Sequence, residues 1–522
     1  MIKSQIEKVF GHGISPSSVA GVDYQFACFE IAKKQGKKPL DVATQMAKSH
    51  KGDLATACAS APGFINFVLT DKALQEIADY VLKNNKIPLE TQEKRKIFFD
   101  YGGANVAKEL HIGHLRPPII GEALKRVFQA FGHKTIADTY LGDWGLQMGL
   151  VIAELELNGN PEITIELLNE YYPIASKRAK EDENFRKKAE EYTARLQNLE
   201  EPYYSVWKKM RAVSVEKIRE NYNRLNCTFD LYNGESTAQP FVEKVLEVLK
   251  PHTRVDNDCV LMDVKDDSDN KPMPPVILKK GNGGDLYATS DVATLYYRQK
   301  SLKPDEYVYV TDFRQNLHFE QVFRVAKKGG IIPSDVMLTH IGLGTITGAD
   351  GKPFKTRDGG TIRLEDVINL VVDAAKDERV GLSALKFADL VNHVKSGYIF
   401  DVDKFISFEG KTGPYILYTI ARINSILEKS DKWTGVTSGL NHEVMGAIVK
   451  LSDAYTAATQ NYTLNGIVDA MFLVAQAFNV FYGKEQIIGN DANLTLAKIV
   501  KLVLEFVMDT LAIDVVEKMT RD

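Results

Sequence analysis

The sequence predicts an α/β protein built on a parallel sheet, with a small α+β unit before it and a bundle of helices after it. Three observations carry this prediction: a strand–turn–helix–strand order near residue 100, strand signals that return after residue 270, and long apolar-periodic segments after residue 400. A strand, a helix and a second strand in succession form a βαβ unit, whose two strands are parallel. The 522 residues are enough for about three domains at ~100–200 residues each.

Residues 1–92 are predicted to form the small α+β unit. "PLDVATQMAKSH" starts with Pro39 and places Leu40, Val42, Ala43 and Met46 near one helical face. "GFINFVLT" is typical of a short strand. The polar stretch "KNNKIPLETQEKRK" then indicates a linker, which ends this unit.

The parallel sheet is predicted to begin at "KIFFDY", whose continuous apolar run is typical of a strand buried on both faces. Ile120, Leu124, Val127 and Phe131 then recur at helical spacing, and Gly132 is well placed to end the helix. "TIADTYLGDWG" predicts the next strand.

Residues 93–400 are predicted to complete this α/β domain around a charged, helical insertion at about 155–275. Strand patterns return at "PPVILKK", "EYVYVTD" and "VMLTHIGLGTI", with a helix at "NLHFEQVFRVAKKGG" between the last two. Residues 401–522 contain long apolar-periodic segments with short breaks, which predicts an α-helical bundle.

Amino-acid composition says more about the cellular compartment of the protein than about its function. The net charge of −4 excludes no partner class, because a local basic face can bind nucleic acid on an acidic protein. Cys28, Cys58, Cys227 and Cys259 form no CxxC pair and no zinc-type spacing, so no metal site is expected and a reducing compartment fits. Without an apolar leader or an apolar run of ~18 residues, we expect a cytoplasmic protein that does not enter a membrane.

The stretch "ANVAKELHIGHLRPP" holds the densest polar chemistry of the chain. Asn105, Lys108, His111, His114 and Arg116 are too polar and too close together for an ordinary core turn. Ligands of parallel sheets bind outside the carboxyl ends of strands, where a helix N-terminus offers free N–H groups to an anion. The pattern HxGH alone is weak evidence, since a buried histidine at a tight turn is the commoner explanation.

Two prolines directly after this stretch leave the start of the next helix open. Proline fits the first turn of a helix, but Pro117 disfavours the α conformation at Arg116. The helix either starts near His114 with some local strain, or starts later and points its dipole less directly at a bound phosphate.

"DYGGANVAKELHIGHLR" resembles the signature of class I aminoacyl-tRNA synthetases and, among them, of the arginyl-tRNA synthetases. The resemblance continues at "YLGDWGLQMG", "FDLYNGES", "DLYATSDVATLYYR", "KPFKTRDGGTIRLEDV" and "TGPYILYTIARINSIL", and the N-terminal "PGFINFVL" is similar to the family's additional domain. It implies a Rossmann-type catalytic domain between an N-terminal tRNA-contacting domain and a C-terminal anticodon-binding domain. It also implies a monomeric ligase that uses ATP with Mg²⁺, L-arginine and tRNA(Arg), and that releases AMP and pyrophosphate.

Motif by motif, the resemblance assigns roles to particular residues. The implied catalytic residues are Lys108, His111, His114, Lys355 and Arg357. ATP is implied to contact Ala104, Gly113, His111, His114 and Lys355. Arginine is implied to contact Asp100, Asn105, Glu235, Tyr287, Asp291 and Gln315. The tRNA is implied to contact Tyr24, Gln25, Tyr415, Arg422 and Tyr482, and no residue is assigned to a metal.

Several alternatives stay open at this point. "GKPFKTRDGG" departs from the family's KMSKS-like loop, so either Lys108 or Arg357 replaces the missing lysine. Asp291 is also a plausible helix cap, Glu235 a surface turn residue, and the tyrosines of the bundle ordinary packing residues. Rival functions are an adenylyltransferase for small molecules, a silent paralogue that only holds tRNA, and a synthetase for another amino acid.

Overall fold

A computed structural model describes residues 2–280, 287–352, 354, 362–430 and 433–519, with only the backbone of Tyr287. The N-terminal part contains α1 (Ile2–Phe10), β1 (Ser15–Pro16), β2 (Tyr24–Ala27), α2 (Phe29–Gln35), α3 (Pro39–Ser49), β3 (Ala55–Ser60), β4 (Phe64–Leu69) and α4 (Asp71–Asn84). Its strands form an antiparallel sheet in the order β1–β2–β4–β3. The predicted helix and strand of this unit are therefore present.

The apolar face predicted for α3 is right except at its start. Val42, Ala43 and Ala47 are buried, but Leu40 is 41% exposed. Leu40 lies in the first turn of α3, ahead of the buried positions, so the prediction for this residue is wrong.

A parallel βαβ unit opens the middle of the chain, as the sequence predicts. It consists of β5 (Lys96–Tyr101), β6 (Ala104–Asn105), α5 (Arg116–Ala130), β7 (Lys134–Asp138) and β8 (Leu141–Gly142). Strands β5 and β7 pair in parallel from Lys96↔Lys134 to Asp100↔Asp138. All four predicted core positions of α5 are buried, and Gly132, just beyond its end, has φ +83°, a left-handed conformation that glycine adopts at little cost.

The charged insertion folds into helices with a core of their own. They are α6 (Leu146–Leu157), α7 (Ile165–Glu181), α8 (Glu183–Gln197) and α9 (Tyr203–Arg224). Met148, Val151, Trp207 and Met210 are among the residues buried between them. The insertion is therefore a packed part of the domain with its own core, rather than a loose surface segment.

The next part of the chain carries a second, smaller sheet. It contains α10 (Glu235–Ala238), α11 (Val242–Leu249), β9 (Thr253–Asp256), β10 (Cys259–Met262) and β11 (Val276–Lys279). Strands β9, β10 and β11 form a separate antiparallel sheet in the order β11–β10–β9. The segment "PPVILKK" therefore does form a strand, but its expected place in the parallel sheet is wrong.

The rest of the parallel sheet follows. The elements are α12 (Tyr287–Ser301), β12 (Glu306–Asp312), α13 (Asn316–Lys328), β13 (Met337–Leu343), β14 (Ile346–Thr347), α14 (Leu364–Ala375), α15 (Glu378–Leu390), β15 (Tyr398–Ile399) and α16 (Val402–Phe405). The sheet order is β13–β12–β5–β7, with all pairs parallel. Phe99 and Val310 face a core shared with α5, whereas Phe98 and Tyr307 face a core shared with α12 and α13. This doubly wound arrangement confirms the predicted fold class.

The C-terminal part is the predicted helical bundle. It consists of α17 (Gly413–Glu428), α18 (His442–Asn461), α19 (Asn465–Tyr482) and α20 (Asp491–Thr510). The N-terminal part packs against it: the Tyr24 hydroxyl is hydrogen-bonded to Asp453, and His442 Nε2 lies 3.4 Å from Asp23 Oδ2. In the described ranges, no helix combines the length and the apolar character needed to cross a membrane.

Candidate active site

A large polar cleft lies where the order of the parallel sheet reverses. β5 connects through α5 to β7 on one side, whereas its other neighbour, β12, connects through α13 to β13. Open parallel sheets bind ligands at such a crevice, outside the carboxyl ends of the strands. The cleft has a volume of about 770 Å³, within the usual range of small-molecule sites.

Residues that the sequence singled out converge on this cleft from six separate segments. Its lining includes Asp100, Ala104, Asn105, His111, Gly113, His114, Glu235, Asp291 and Gln315. Gly142 belongs to the same wall, and a side chain there would collide with Asn105, since a Cβ would sit 2.2 Å from its Oδ1. The fold therefore brings the predicted nucleotide and amino-acid residues into one space.

A 3₁₀ turn, Ile112–His114, holds the two imidazoles of the motif. His111 Nδ1 accepts a hydrogen bond from the Gly113 N–H at 3.0 Å, and His114 Nδ1 accepts one from the His111 N–H at 3.0 Å. The His111 ring folds over Gly113 so closely that a Cβ there would lie 2.7 Å from the ring. Residue 113 must therefore be glycine, because the His111 ring already occupies the space that a side chain would fill.

Both imidazoles are neutral donors at neutral pH. Enclosure, with the charges of His111 and Lys108, lowers the pKa of His114 to about 3, and enclosure with the charge of Lys108 also lowers the pKa of His111. Because each Nδ1 accepts a backbone N–H, the proton of each neutral ring is on Nε2. The turn therefore offers two Nε2–H donors without a positive charge.

Helix α5 begins at Arg116, so Pro117 and Pro118 lie in its first turn. The earlier of the two possible starts is the one observed, and Arg116 is helical although the following proline disfavours that conformation. The backbone N–H groups of residues 111–115 all have partners within the protein, and the two prolines carry no backbone N–H. The expectation of free backbone donors at this helix start is therefore wrong for most of the turn.

Arg116 is absent from the wall of this cleft, although it borders a second compartment that adjoins the cleft. It is 3% exposed, and its Nε donates to the carboxylate of Asp389 at 3.1 Å. Its Nη1 donates to the carbonyl oxygens of Gly344 and Ser396. Arg116 therefore ties the motif to α15 and to the loop after β13. These contacts use its Nε and Nη1, whereas its buried Nη2 has no partner among the described residues.

A second compartment of about 210 Å³ adjoins the main cleft, and the two share His111, Gly113, Pro117, Asp312 and Arg314. Its far wall is largely apolar and backbone, formed by Leu343, Gly344, Thr345, Ile346 and Phe354. The Ile112 N–H donates to the Ile362 carbonyl, so the chain on both sides of residues 355–361 lies against this end of the site. Lys355 and Arg357 themselves lie outside the described residues.

Lys108 lies beside the cleft rather than in its wall. Its ammonium is 5.8 Å from the centre of the Tyr172 ring, and its charge reaches both imidazoles. The preceding Ala107 has φ +63°, a left-handed conformation that is costly for a residue with a Cβ, and its N–H donates to the Ser214 hydroxyl. This bend turns the chain so that Lys108 is exposed near the histidines.

Under the floor of the cleft lies Arg298, which is fully buried and which the sequence analysis did not identify. Its Nη1 lies 2.7 Å from Asp100 Oδ2, and its Nη2 donates to Asp138 Oδ2 at 2.8 Å. Its Nε has no partner among the described residues. Burial raises the pKa of Asp100 against the opposing charge of Arg298, so the predicted Asp100 is already committed to an internal ion pair.

Asp291 and Glu235 are the acids of the cleft without a lysine or arginine partner among the described residues. Asp291 Oδ2 lies 2.5 Å from Nε2 of His318, which sequence analysis also missed. Glu235 has a pKa raised to about 7, mainly by burial and then by the charges of Asp143 and Asp291. The side chain of Tyr287, predicted to act with Asp291, lies outside the described residues, whereas Tyr140 and Tyr309 do line the cleft.

The residues predicted to contact tRNA differ in their exposure to solvent. Tyr24 is 1% exposed and its hydroxyl is hydrogen-bonded to Asp453, so its side chain offers no surface to a tRNA. Gln25 is half-buried, and its Nε2 donates to Asn66 Oδ1 at 2.7 Å.

On the bundle, Arg422 lies between two tyrosine rings. Its guanidinium carbon is 4.8 Å from the Tyr418 ring centre and 5.1 Å from that of Tyr482, which is 39% exposed. Asn479 donates to the Tyr415 hydroxyl at 3.0 Å and accepts from Arg422 at 2.8 Å. These side chains form one preorganised polar and aromatic cluster.

Within the described ranges, no group of three or more His, Cys, Asp or Glu side chains is arranged to hold a metal ion.

Three family models match the chain in order. Residues 2–69 match the arginyl tRNA synthetase N-terminal domain, residues 76–402 the catalytic domain of tRNA synthetases class I (R), and residues 416–519 the DALR anticodon binding domain. The catalytic model alone covers more than half of the chain.

Curated relatives and solved structures agree with these models. An arginine–tRNA ligase of Alkaliphilus oremlandii is 38% identical over 550 aligned residues, covering 95% of this chain and 94% of the relative. One from Francisella tularensis subsp. holarctica is 34% identical, covering 87% and 85%. The crystal structure of arginyl-tRNA synthetase from Plasmodium falciparum superposes with a TM-score of 0.85 at 25% identity, covering 99% and 98% of the two chains. The Thermus thermophilus enzyme has the same fold, with a TM-score of 0.83 at 20% identity over 99% of each chain.

Proposed function

Because the chain belongs to the arginyl-tRNA synthetases of class I and is an arginine–tRNA ligase, we propose that the cleft holds ATP at its histidine end and arginine at its acidic end. The observation that carries this proposal is the contrast between the two ends. His111 and His114 present neutral N–H donors, whereas Asp291 and Glu235 present carboxylates with no lysine or arginine partner in the described part of the chain.

The reaction needs little covalent chemistry from the protein. A carboxylate oxygen of arginine attacks the α-phosphorus of ATP, and the bond from that phosphorus to the bridging oxygen of pyrophosphate breaks. A hydroxyl of the terminal tRNA ribose then attacks the adenylate carbonyl, loses its proton and releases AMP. Orientation of the two substrates and stabilisation of charge on the α-phosphate account for most of the acceleration.

At the nucleotide end, the two Nε2–H groups are placed to donate to phosphate oxygens, and Gly113 adds no side chain to the space beside them. The adjoining apolar compartment, with Phe354 and Ile346 on its wall, fits a flat base. Lys108, Lys355 and Arg357 supply positive charge for the departing pyrophosphate. ATP enters as its Mg²⁺ complex, with the ion held by the phosphates.

At the acidic end, a planar guanidinium fits between Asp291 and Glu235, each of which accepts from a different edge of the fork. Asn105 and Gln315 hold the α-amino and carboxylate groups of arginine, and Asp100 with Arg298 forms the charged floor beneath them. Tyr287 belongs to the same proposed set.

The wider organisation follows the family resemblance. We place the N-terminal domain at 1–92, the catalytic domain at 93–400 and the anticodon-binding domain at 401–522. The enzyme works as a monomer in the cytoplasm, where charged tRNA is consumed. Gln25 with Lys33, Lys34, Lys37 and Lys38 lies toward the body of the tRNA, and the Arg422–Tyr482 cluster meets its unpaired anticodon bases.

The test of the whole assignment is ATP–pyrophosphate exchange with arginine, with and without tRNA(Arg). We expect exchange that depends on arginine and on the presence of the tRNA. Exchange with another amino acid would contradict the arginine assignment. No exchange under either condition would mean that the chain holds tRNA without activating an amino acid.

The raised pKa of Glu235 predicts that arginine binding weakens in acid. With a pKa of about 7, the carboxyl is mostly ionised at about pH 8 and mostly protonated at about pH 6, where it no longer attracts a cation. The KM for arginine should therefore rise by about tenfold between these values, as the ionised fraction falls. Steady-state exchange kinetics across this range measure the effect.

The matched variant is Glu235→Gln, which keeps the shape and removes the titrating proton. Its KM for arginine should be high and nearly independent of pH over the same interval. An equal slope in the wild type and in Glu235→Gln would assign the pH dependence to a different group.

The aromatic cluster predicts a separate effect on tRNA. Tyr482→Ala should raise the KM for tRNA by about fivefold to a hundredfold, the usual worth of one base stacked on an aromatic ring. Val480→Ala is the control, since Val480 is equally exposed on the same helix but points away by about 200°. Equal aminoacylation kinetics for both variants would show that the cluster only packs the bundle.

A further inference from the structure

His318 occupies a defined position at the acidic end of the cleft. It lies in the first turn of α13, and its Nε2 is 2.5 Å from Asp291 Oδ2 on α12. Both side chains remain partly exposed, at 32% and 26%, and both line the cleft. The contact therefore joins two helices at the cleft wall rather than in the core.

The imidazole is held on its other side by aromatic packing. The His318 ring meets the Phe319 ring edge-on, with centroids 5.4 Å apart, and Phe319 stacks on His340 at 4.6 Å. His340 Nε2 in turn lies 2.7 Å from the Thr311 hydroxyl, which also lines the cleft. This row of rings limits the rotation of His318 and fixes its Nε2 toward Asp291.

Asp291 makes no ion pair with a lysine or arginine in the described part of the chain, so His318 is its one described charge-compatible partner within hydrogen-bond distance. Its charge acts on two further acids, Asp100 and Glu235, and on the hydroxyls of Tyr140 and Tyr309. A lysine or arginine at the position of His318 would hold the carboxylate but would also cancel its charge. An imidazole can donate a hydrogen bond without carrying a charge of its own.

We infer that His318 is a positioning residue for arginine selection, which holds Oδ2 of Asp291 so that Oδ1 alone faces the substrate guanidinium. The inference rests on the proposed contact of Asp291 with arginine. It implies that Asp291 reads one edge of the guanidinium with a single oxygen. The second edge is then left to Glu235 across the cleft.

The experiment compares His318→Leu, His318→Gln, Asp291→Asn and the control His252→Leu, an exposed histidine on a distant turn. Each variant is assayed by ATP–pyrophosphate exchange with tRNA(Arg) present, with arginine and ATP varied in turn. His318→Leu should raise the KM for arginine by about tenfold to a hundredfold, the usual worth of a hydrogen bond to a charged group, and leave kcat and the KM for ATP nearly unchanged. His318→Gln, whose amide N–H can reach the position of Nε2, should restore most of the affinity.

Each other outcome overturns a specific statement. Wild-type arginine KM in His318→Leu, with a raised KM in Asp291→Asn, would overturn the role of His318 and leave the proposed arginine site intact. Wild-type KM in both variants would overturn the arginine contact of Asp291 itself. A parallel rise in the KM for ATP, or no recovery in His318→Gln, would show that His318 only supports the local structure.

Discussion

Replacing Lys108 with alanine is expected to slow arginyl-adenylate formation by about a hundredfold to a thousandfold, the usual loss when one preorganised donor to a developing charge is removed. The two imidazoles of the adjacent turn are neutral, so they cannot balance the charge that accumulates as pyrophosphate leaves. Lys108 is the described cation whose field reaches both of them. Arginine binding should persist, because Asp291 and Glu235 are not altered.

The measurement is single-turnover formation of adenylate with saturating arginine, ATP and tRNA, alongside the KM for arginine. Lys208→Ala is a matched control, since Lys208 also lies over a tyrosine ring, 4.4 Å from the centre of Tyr204, on the exposed side of α9. A rate within threefold of wild type in Lys108→Ala would assign the role to Arg357 or Lys355. The double variant with Arg357→Ala would then show the missing loss.

The second large effect is expected for Asp291→Asn, which should raise the KM for arginine by about tenfold to a hundredfold. The amide keeps the shape of the side chain but removes the charge that a guanidinium requires. Folding should not suffer, because the lost charge lies among other acids and has no cationic partner among the described residues except when His318 is protonated. The thermal midpoint should be equal to that of wild type or higher.

Exchange kinetics and a melting curve of the same preparation separate the two effects. Asp258→Asn is the control, since it changes the same groups at an exposed turn with φ +59°, where asparagine is well tolerated. An arginine KM equal to that of wild type in Asp291→Asn would mean that Glu235 alone selects the guanidinium.

Much of the fold could be predicted because hydrophobic periodicity is a local property. Each of three features can be recognised from a short stretch of sequence alone. They are the apolar run of β5, the spacing of Ile120, Leu124 and Val127 in α5, and the long apolar segments of the bundle. The pairing of strands is not local. β11 has a short continuous apolar run in sequence, as β5 has, and its pairing with β10 is what shows that it belongs elsewhere.

The part of the candidate site that a compact sequence motif contains could be predicted. The part that residues far apart in the sequence form could not. His111 and His114 are three positions apart, whereas Arg298 pairs with Asp138 across 160 residues and His318 meets Asp291 across 27. The sequence also does not show which polar side chains are exposed to solvent. Tyr24 and Arg116 are polar in sequence, yet one is buried against Asp453 and the other against Asp389, each by a segment far along the chain.

The two prolines at the start of α5 bear on how this enzyme can change over evolution. With the backbone donors of residues 111–115 already used and none at Pro117 or Pro118, the phosphate contacts that we propose at this turn depend chiefly on side chains. A cradle built from main-chain amides survives almost any substitution, because every residue except proline carries the same donor. Here a single codon change at either histidine removes the proposed donor, together with the Nδ1 acceptor that holds the turn, so activity can be lost in one mutational step.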